Sequence, residues 1–167
     1  WNVALHFRSS REAAEETLAE LTRRGGTHCL LQADLGREEE TRRLFAEAVS
    51  ELGQLDAVIN NASRFEYDDV NDFGTPRLLD HMLPNLAAPV ILAQELYRHV
   101  QTRRPTQAGI VVNLLDQKLD NPNPDFLSYT LSKSALKSAT ILLARALAPH
   151  VRVVGMSPGL TLPSYLQ

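Results

Sequence analysis

The apolar residues of this chain fall into two kinds of block, and the two kinds alternate. Residues 2–7, 27–33, 55–60, 109–115 and 151–156 are short, nearly continuous apolar runs bounded by polar or glycine-bearing turns. Such runs predict strands covered on both faces, because a half-exposed strand would alternate apolar with polar positions. Between them the apolar residues recur three and four apart. Residues 10–24 carry Leu18 and Leu21 on one face, open on Ser10 as an N-cap and stop at Gly25-Gly26. Residues 38–52 place Leu44, Phe45 and Val49 together, with Glu38, Glu39 and Glu40 at the positive end of the helix dipole, and stop at Gly53. A long helix is predicted over 76–100. Another is predicted over 126–147, where Leu131, Ala135, Leu142 and Ala146 keep helical spacing. Residues 61–72 and 122–124 read as loops. Strand–helix alternation with buried strands predicts one α/β domain over residues 1–167, built on a parallel sheet.

Composition narrows the function classes. The 167 residues carry a net charge of −3 and are 44% hydrophobic and 22% charged, with a pI near 6.0. That balance argues against a nucleic-acid partner, which would call for a basic face. No stretch approaches the roughly 20 apolar residues of a membrane span, and Trp1 to Leu5 lacks the charged start of a signal peptide. The single cysteine, Cys29, lies in an apolar run, reads as a buried inert thiol, and fits a reducing, cytoplasmic setting. The five histidines show no close ligand spacing, so no metal site is expected.

Three short motifs fall at the ends of this alternation. Asn60-Asn61-Ala62-Ser63 closes the third strand. Asp116 follows the fourth. Tyr129-Thr130-Leu131-Ser132-Lys133 lies in the next helix. Residues four apart share a helix face, so Lys133 can sit beside Tyr129, favour the phenolate and pull the phenol's pKa down. Asn85 stands four residues before Pro89, which has no N–H, so the Asn85 carbonyl loses its helical partner and is free to hold a water.

In these motifs and their order the chain resembles the short-chain dehydrogenase/reductase family, over nearly its whole length. The resemblance implies a Rossmann-like, doubly wound parallel sheet and a nicotinamide cofactor. It implies Tyr129 as proton donor, with Lys133 and Asn85 in the same relay. It also implies cofactor contacts from Asn61, Ala62, Ser63, Tyr129 and Lys133, and from Pro158 and Gly159 after the fifth strand. Asp34-Leu35 resembles the family's adenine-edge pair, although a plain strand-end cap would also explain Asp34. At the end of the first strand the family meets the adenosine ribose. Arg8, Ser9 and Ser10 there suit a 2′-phosphate better than a 2′-hydroxyl, which favours NADPH.

Within the family, the pteridine reductases are the most similar group. Most relatives carry serine thirteen residues before the tyrosine, and here that position is Asp116, which suits ring nitrogens and amino groups better than a lone carbonyl. Ser63 replaces the usual glycine of the turn, and Phe65 stands where that group stacks an aromatic ring on the pterin. Pro158-Gly159-Leu160-Thr161 resembles their cofactor and substrate loop. The expected partner is thus a small pterin or folate-like molecule. Two alternatives stay open: a carbonyl reductase of ketoacyl or sugar type, and a non-catalytic NADP(H)-binding sensor. The family's dimers and tetramers join through the fourth and fifth helices, which points to residues 86–100 and 131–147 as an interface.

The family's glycine-rich phosphate loop has no counterpart here, and neither do its final strand and lid. The chain reads as truncated at both ends. The family's strand order would then leave residues 2–7 and 55–60 either facing a gap or pairing directly. Unpaired inner edges cost backbone hydrogen bonds, so the 167 residues alone are expected to be marginally stable and inactive.

Overall fold

A computed structural model describes residues 1–102 and 108–159. Along the chain lie β1 (Val3–Phe7), α1 (Arg11–Arg23), β2 (His28–Gln32), α2 (Glu38–Leu52), β3 (Ala57–Asn60) and α3 (Thr75–Met82). A π-turn (Leu83–Ala87), α4 (Ala88–Gln101), β4 (Gly109–Leu114), a 3₁₀ turn (Gln117–Asp120), α5 (Leu127–Leu147) and β5 (Val151–Met156) complete the order. Every predicted strand is present, and every ladder is parallel. β1 pairs with β2, Val3 opposite His28. β3, β4 and β5 pair in that order, with Ala57 opposite Ile110 and Gly109 opposite Val151. Among the described residues no ladder joins β1 to β3, so of the two expected arrangements the chain adopts the gap.

The core explains why the two sheets still form one body. Phe45 of α2 packs with Leu92, Ala93, Leu96 and Val100 of α4 and with Val111, Leu147, Val151 and Val153. α4 lies close on β4, because a Cβ on Gly109 would stand 3.0 Å from Val100 Cγ2 and 3.2 Å from Leu96 Cδ2. α2 ties the sheets together. Its Arg43 donates to the Gln32 carbonyl of β2 at 3.2 Å, and its Arg42 pairs with Glu95 of α4. Gly53 ends α2 at φ 73°, a conformation that costs glycine little. The three glutamates open that helix as expected.

Three local readings change. Ser10 sits at the N-cap of α1 but makes no side-chain capping bond. The helix predicted over 76–100 is two helices offset by the π-turn. Pro84 and Pro89 both lack the N–H that an unbroken α-ladder would use, and the chain widens so that the Ala88 N–H reaches the Leu83 carbonyl. Phe126 is not in α5 but at its N-cap, with left-handed backbone at φ 55°, ψ 50°.

Candidate active site

The carboxyl ends of the parallel strands carry the candidate residues. Arg8, Ser9 and Ser10 leave β1, Asp34 and Leu35 follow β2, and the loop after β3 brings in Ala62, Ser63 and Phe65. Together these line one cleft of about 580 Å³ between the two sheets. In open α/β sheets ligands lodge in such crevices at strand ends. Asp34 also closes its own turn, accepting from the Gly36 N–H at 2.9 Å, so the capping explanation and the cleft position both hold for it. Asn61 lies beside the cleft as an exposed residue whose N–H bonds back to the Ile59 carbonyl at 3.0 Å.

A second group gathers where α5 begins. Tyr129 is buried at 7% exposure, and its phenol donates to Asp116 Oδ2 at 2.7 Å. The other oxygen of Asp116 accepts from the Lys118 N–H at 2.8 Å, which closes the 3₁₀ turn after β4 and fixes the carboxylate's direction. Asp116 is therefore both a cap and the tyrosine's partner. Lys133, 3% exposed, donates to the Leu114 carbonyl at 2.7 Å, with its Nζ 5.8 Å from the centre of the Tyr129 ring. The expected drop in the phenol's pKa does not occur in this arrangement. Burial first, and then the bond to Asp116 and its negative charge, hold the Tyr129 proton on more tightly than in a free tyrosine. Burial lowers the pKa of the Lys133 ammonium, opposed by Asp116. Spacing placed the lysine on the right face, while burial, and then the carboxylate thirteen residues upstream, set the direction of the phenol's pKa.

Phe65 joins the two groups. It lines the cleft, and its ring meets Tyr129 edge-on at 4.7 Å and Phe126 face-on at 4.3 Å, with 6° between the planes of the stacked pair. Tyr67 adds an edge contact to Phe126 at 5.2 Å. Asn85 is buried in the π-turn at 1% exposure. Its side chain accepts from the Arg64 N–H at 2.7 Å, donates to the Arg64 carbonyl at 2.9 Å, and donates to Ser132 Oγ at 2.9 Å. Ser132 in turn donates to the Tyr129 carbonyl at 2.7 Å. Asn85 thus reaches the site through its amide, gripping the loop that carries Phe65, where the sequence pointed to its main-chain carbonyl.

Sequence reasoning missed Phe126, Ser132 and Asp68. Asp68 is fully buried and accepts from the Ser128 N–H and hydroxyl. Nothing in its polar, loop-like neighbourhood marks it. Pro158 and Gly159 follow β5 as exposed residues, and a Cβ on Gly159 would meet nothing within 4 Å, so the structure does not bring them to the other groups. Leu160 and Thr161 lie outside the described residues. Cys29 is half-buried, and burial pushes its thiol pKa up, in keeping with an unreactive side chain. Among the described residues, no helix is long and apolar enough to cross a membrane.

Comparison with known proteins adds a family and several relatives. The family model for short chain dehydrogenase matches residues 1–167. The chain is 30% identical over 165 residues to glucose and ribitol dehydrogenase homolog 2 of Arabidopsis thaliana, covering 95% of this chain and 55% of that protein. It is 26% identical over 171 residues to a 3-oxoacyl-acyl-carrier-protein reductase of Staphylococcus aureus, covering 95% and 64%. Among solved structures, FolM alternative dihydrofolate reductase 1 from Brucella suis, in complex with NADP, superposes with a TM-score of 0.88 at 39% identity. That match covers 98% of this chain and 66% of that one. The chain thus spans between 55% and 66% of the length of these proteins.

Proposed function

The chain belongs to the short-chain dehydrogenase family, and from that premise we propose that the protein is an NADPH-dependent oxidoreductase that reduces a pterin or dihydrofolate-like substrate. One observation carries the reading: a buried phenol hydrogen-bonded to a carboxylate, Tyr129 to Asp116, beside the half-exposed ring of Phe65. A carbonyl needs a donor, whereas a pterin also presents N–H and amino groups that a carboxylate accepts. The 39% identity to an alternative dihydrofolate reductase supports the same substrate class.

The residues at the cleft fit the cofactor. Arg8 and the hydroxyls of Ser9 and Ser10 offer donors for a 2′-phosphate, Asp34 and Leu35 offer an adenine edge, and Ala62 and Ser63 line the cleft's far wall. NADPH, when bound, supplies a hydride. The chain's own residues do the rest. Phe65 offers a face on which a planar ring can stack, Asp116 orients the ring's N–H groups, and Tyr129 gives a proton to the nitrogen of the C=N bond whose carbon takes the hydride. Lys133 and Asn85 hold the phenol's surroundings in place. Self-association through α4 and α5 belongs to the same reading, since Leu131, Ile141 and Leu142 of α5 are exposed. So does a reducing cytoplasmic setting.

The test follows NADPH oxidation by the full-length protein that contains this chain, with dihydrobiopterin, dihydromonapterin, dihydrofolate and a 3-oxoacyl ester, using wild type, Asp116→Ser and Tyr129→Phe. Pterin or folate turnover that collapses in both variants is expected. Turnover on the ester alone would replace the substrate class, and NADPH binding without turnover on any of them would leave a sensor.

A further inference from the structure

We infer that Asp68 is a positioning residue that locks the aromatic wall of the site to its proton donor. This rests on the roles proposed above for Phe65 and Tyr129, but its geometry stands apart from the substrate. α5 begins at Leu127, and its N-cap residue, Phe126, has no side-chain acceptor for the first free N–H groups. Asp68, about sixty residues earlier in the chain, does that work. Its main-chain carbonyl accepts from the Leu127 N–H at 3.1 Å. Its carboxylate accepts from the Ser128 N–H at 2.9 and 3.2 Å and from the Ser128 hydroxyl. The carboxylate is fully buried and lies at the positive end of the longest helix, where a negative charge is favoured.

The two ends of this clamp are what give it a function. Ser128 immediately precedes Tyr129. Asp68 is three residues past Phe65, in a loop whose other end is held by Asn85 at Arg64. Phe65 therefore sits between two buried polar anchors, and one of them is bonded to the turn that bears the phenol. The 4.7 Å edge contact between Phe65 and Tyr129 is the result. A cap made by a neighbouring residue would hold the helix without fixing the loop. A cap made from this loop fixes the ring and the phenol together.

The test compares Asp68→Asn and Ser128→Ala with Asp69→Asn, a neighbouring loop change outside the clamp. The full-length protein that contains this chain is labelled with 3-fluorotyrosine, and the Tyr129 fluorine signal is assigned by its loss in Tyr129→Phe. Asp68→Asn and Ser128→Ala are expected to shift or broaden that signal while Asp69→Asn does not. They are also expected to lower single-turnover reduction by roughly ten- to a hundredfold, with the NADPH Kd changed less than about twofold. A Tyr129 signal and a turnover rate that stay as in wild type in a folded Asp68→Asn overturn the inference. If Asp68→Asn does not fold, Ser128→Ala, which keeps the N–H bonds, decides by the same readouts. Wild-type protein that reduces no pterin would remove the substrate assignment, and the fluorine signal would still judge the clamp.

Discussion

The Tyr129 phenol points its proton at Asp116 Oδ2 across 2.7 Å, so the residue expected to donate a proton already has a half-buried acceptor. Burial and the neighbouring negative charge raise the phenol's pKa, which means the folded protein holds this proton more tightly than the unfolded chain does. The stability from that preference is complete below the unfolded tyrosine value of about 10 and is lost as pH climbs through the higher folded value. Ultraviolet titration should show the Tyr129 phenolate forming above the ordinary tyrosine range, identified by difference against Tyr129→Phe. Asp116→Ser removes the carboxylate and its charge and should bring the transition down, though not to that of a free tyrosine, because burial remains. A wild-type transition at or below the ordinary value would mean that Lys133 governs the phenol after all. On the kinetic side, Tyr129→Phe should cost about 10²- to 10⁴-fold in kcat, the usual worth of a positioned proton donor.

Arg8 gives a separate handle on the cofactor. It lines the cleft at the end of β1, beside Ser9 and Ser10. A hydrogen bond to a charged group is worth about 1.5–3 kcal/mol, so Arg8→Ala should weaken NADPH binding by roughly ten- to a hundredfold. NADH lacks the 2′-phosphate and should bind the variant and the wild type alike. Fluorescence titration of the full-length protein with both nucleotides checks this, and equal losses for the two would place Arg8 away from the ribose.

The gap between β1 and β3 predicts a pattern of amide exchange. The Val3 N–H bonds to the Thr27 carbonyl, so strand alternation turns the N–H groups of Ala4 and His6 away from β2. By the same alternation the Asp56 carbonyl faces β4, and the N–H groups of Ala57 and Ile59 face away from it. In the 167-residue chain these four amides should exchange far faster than those of Leu5 and Val58, and the thermal melt should be shallow. Equal protection on both sides of β1, or a sharp cooperative melt with tight NADPH binding, would show that the inner edges are satisfied.

That gap also shows how far the sequence could be read. Continuous apolar runs set out five strands, and burial on both faces of a parallel sheet is the reason such runs exist. Whether β1 and β3 would meet depends on the space α2 and α4 leave between the sheets, a packing outcome that no run of residues encodes. Tyr129, Lys133 and Asp116 were legible through the order of motifs shared with the short-chain dehydrogenase/reductase family, and local helix spacing put Tyr129 and Lys133 on one face. The direction of the phenol's pKa was not, since it is set first by burial and then by Asp116 Oδ2. Asp68 escaped for the same reason. Its partner is Ser128, and only the folded loop brings them within 3 Å.

Phe126 offers a test of strain against stacking. A non-glycine residue in the left-handed region costs about 1–2 kcal/mol, and Phe126 sits there at φ 55°. Its ring gives some of that back, stacking on Phe65 at 4.3 Å with Tyr67 against its edge, and aromatic pairs contribute about 0.5–1.5 kcal/mol each. Phe126→Asn relieves the strain, because asparagine tolerates this backbone, and removes the stack. Phe126→Leu keeps the strain and also removes the stack. Phe126→Asn should therefore melt close to wild type, and Phe126→Leu should melt lower. Both should raise KM for a planar bicyclic substrate, since one face of the Phe65 ring is backed by Phe126 and the loss of that backing frees the ring to turn. KM for NADPH should hold in both. A substrate KM that rises in Phe126→Leu alone would assign the effect to backbone strain, and one that rises in neither would mean that Asp68 and Asn85 hold Phe65 without the stack.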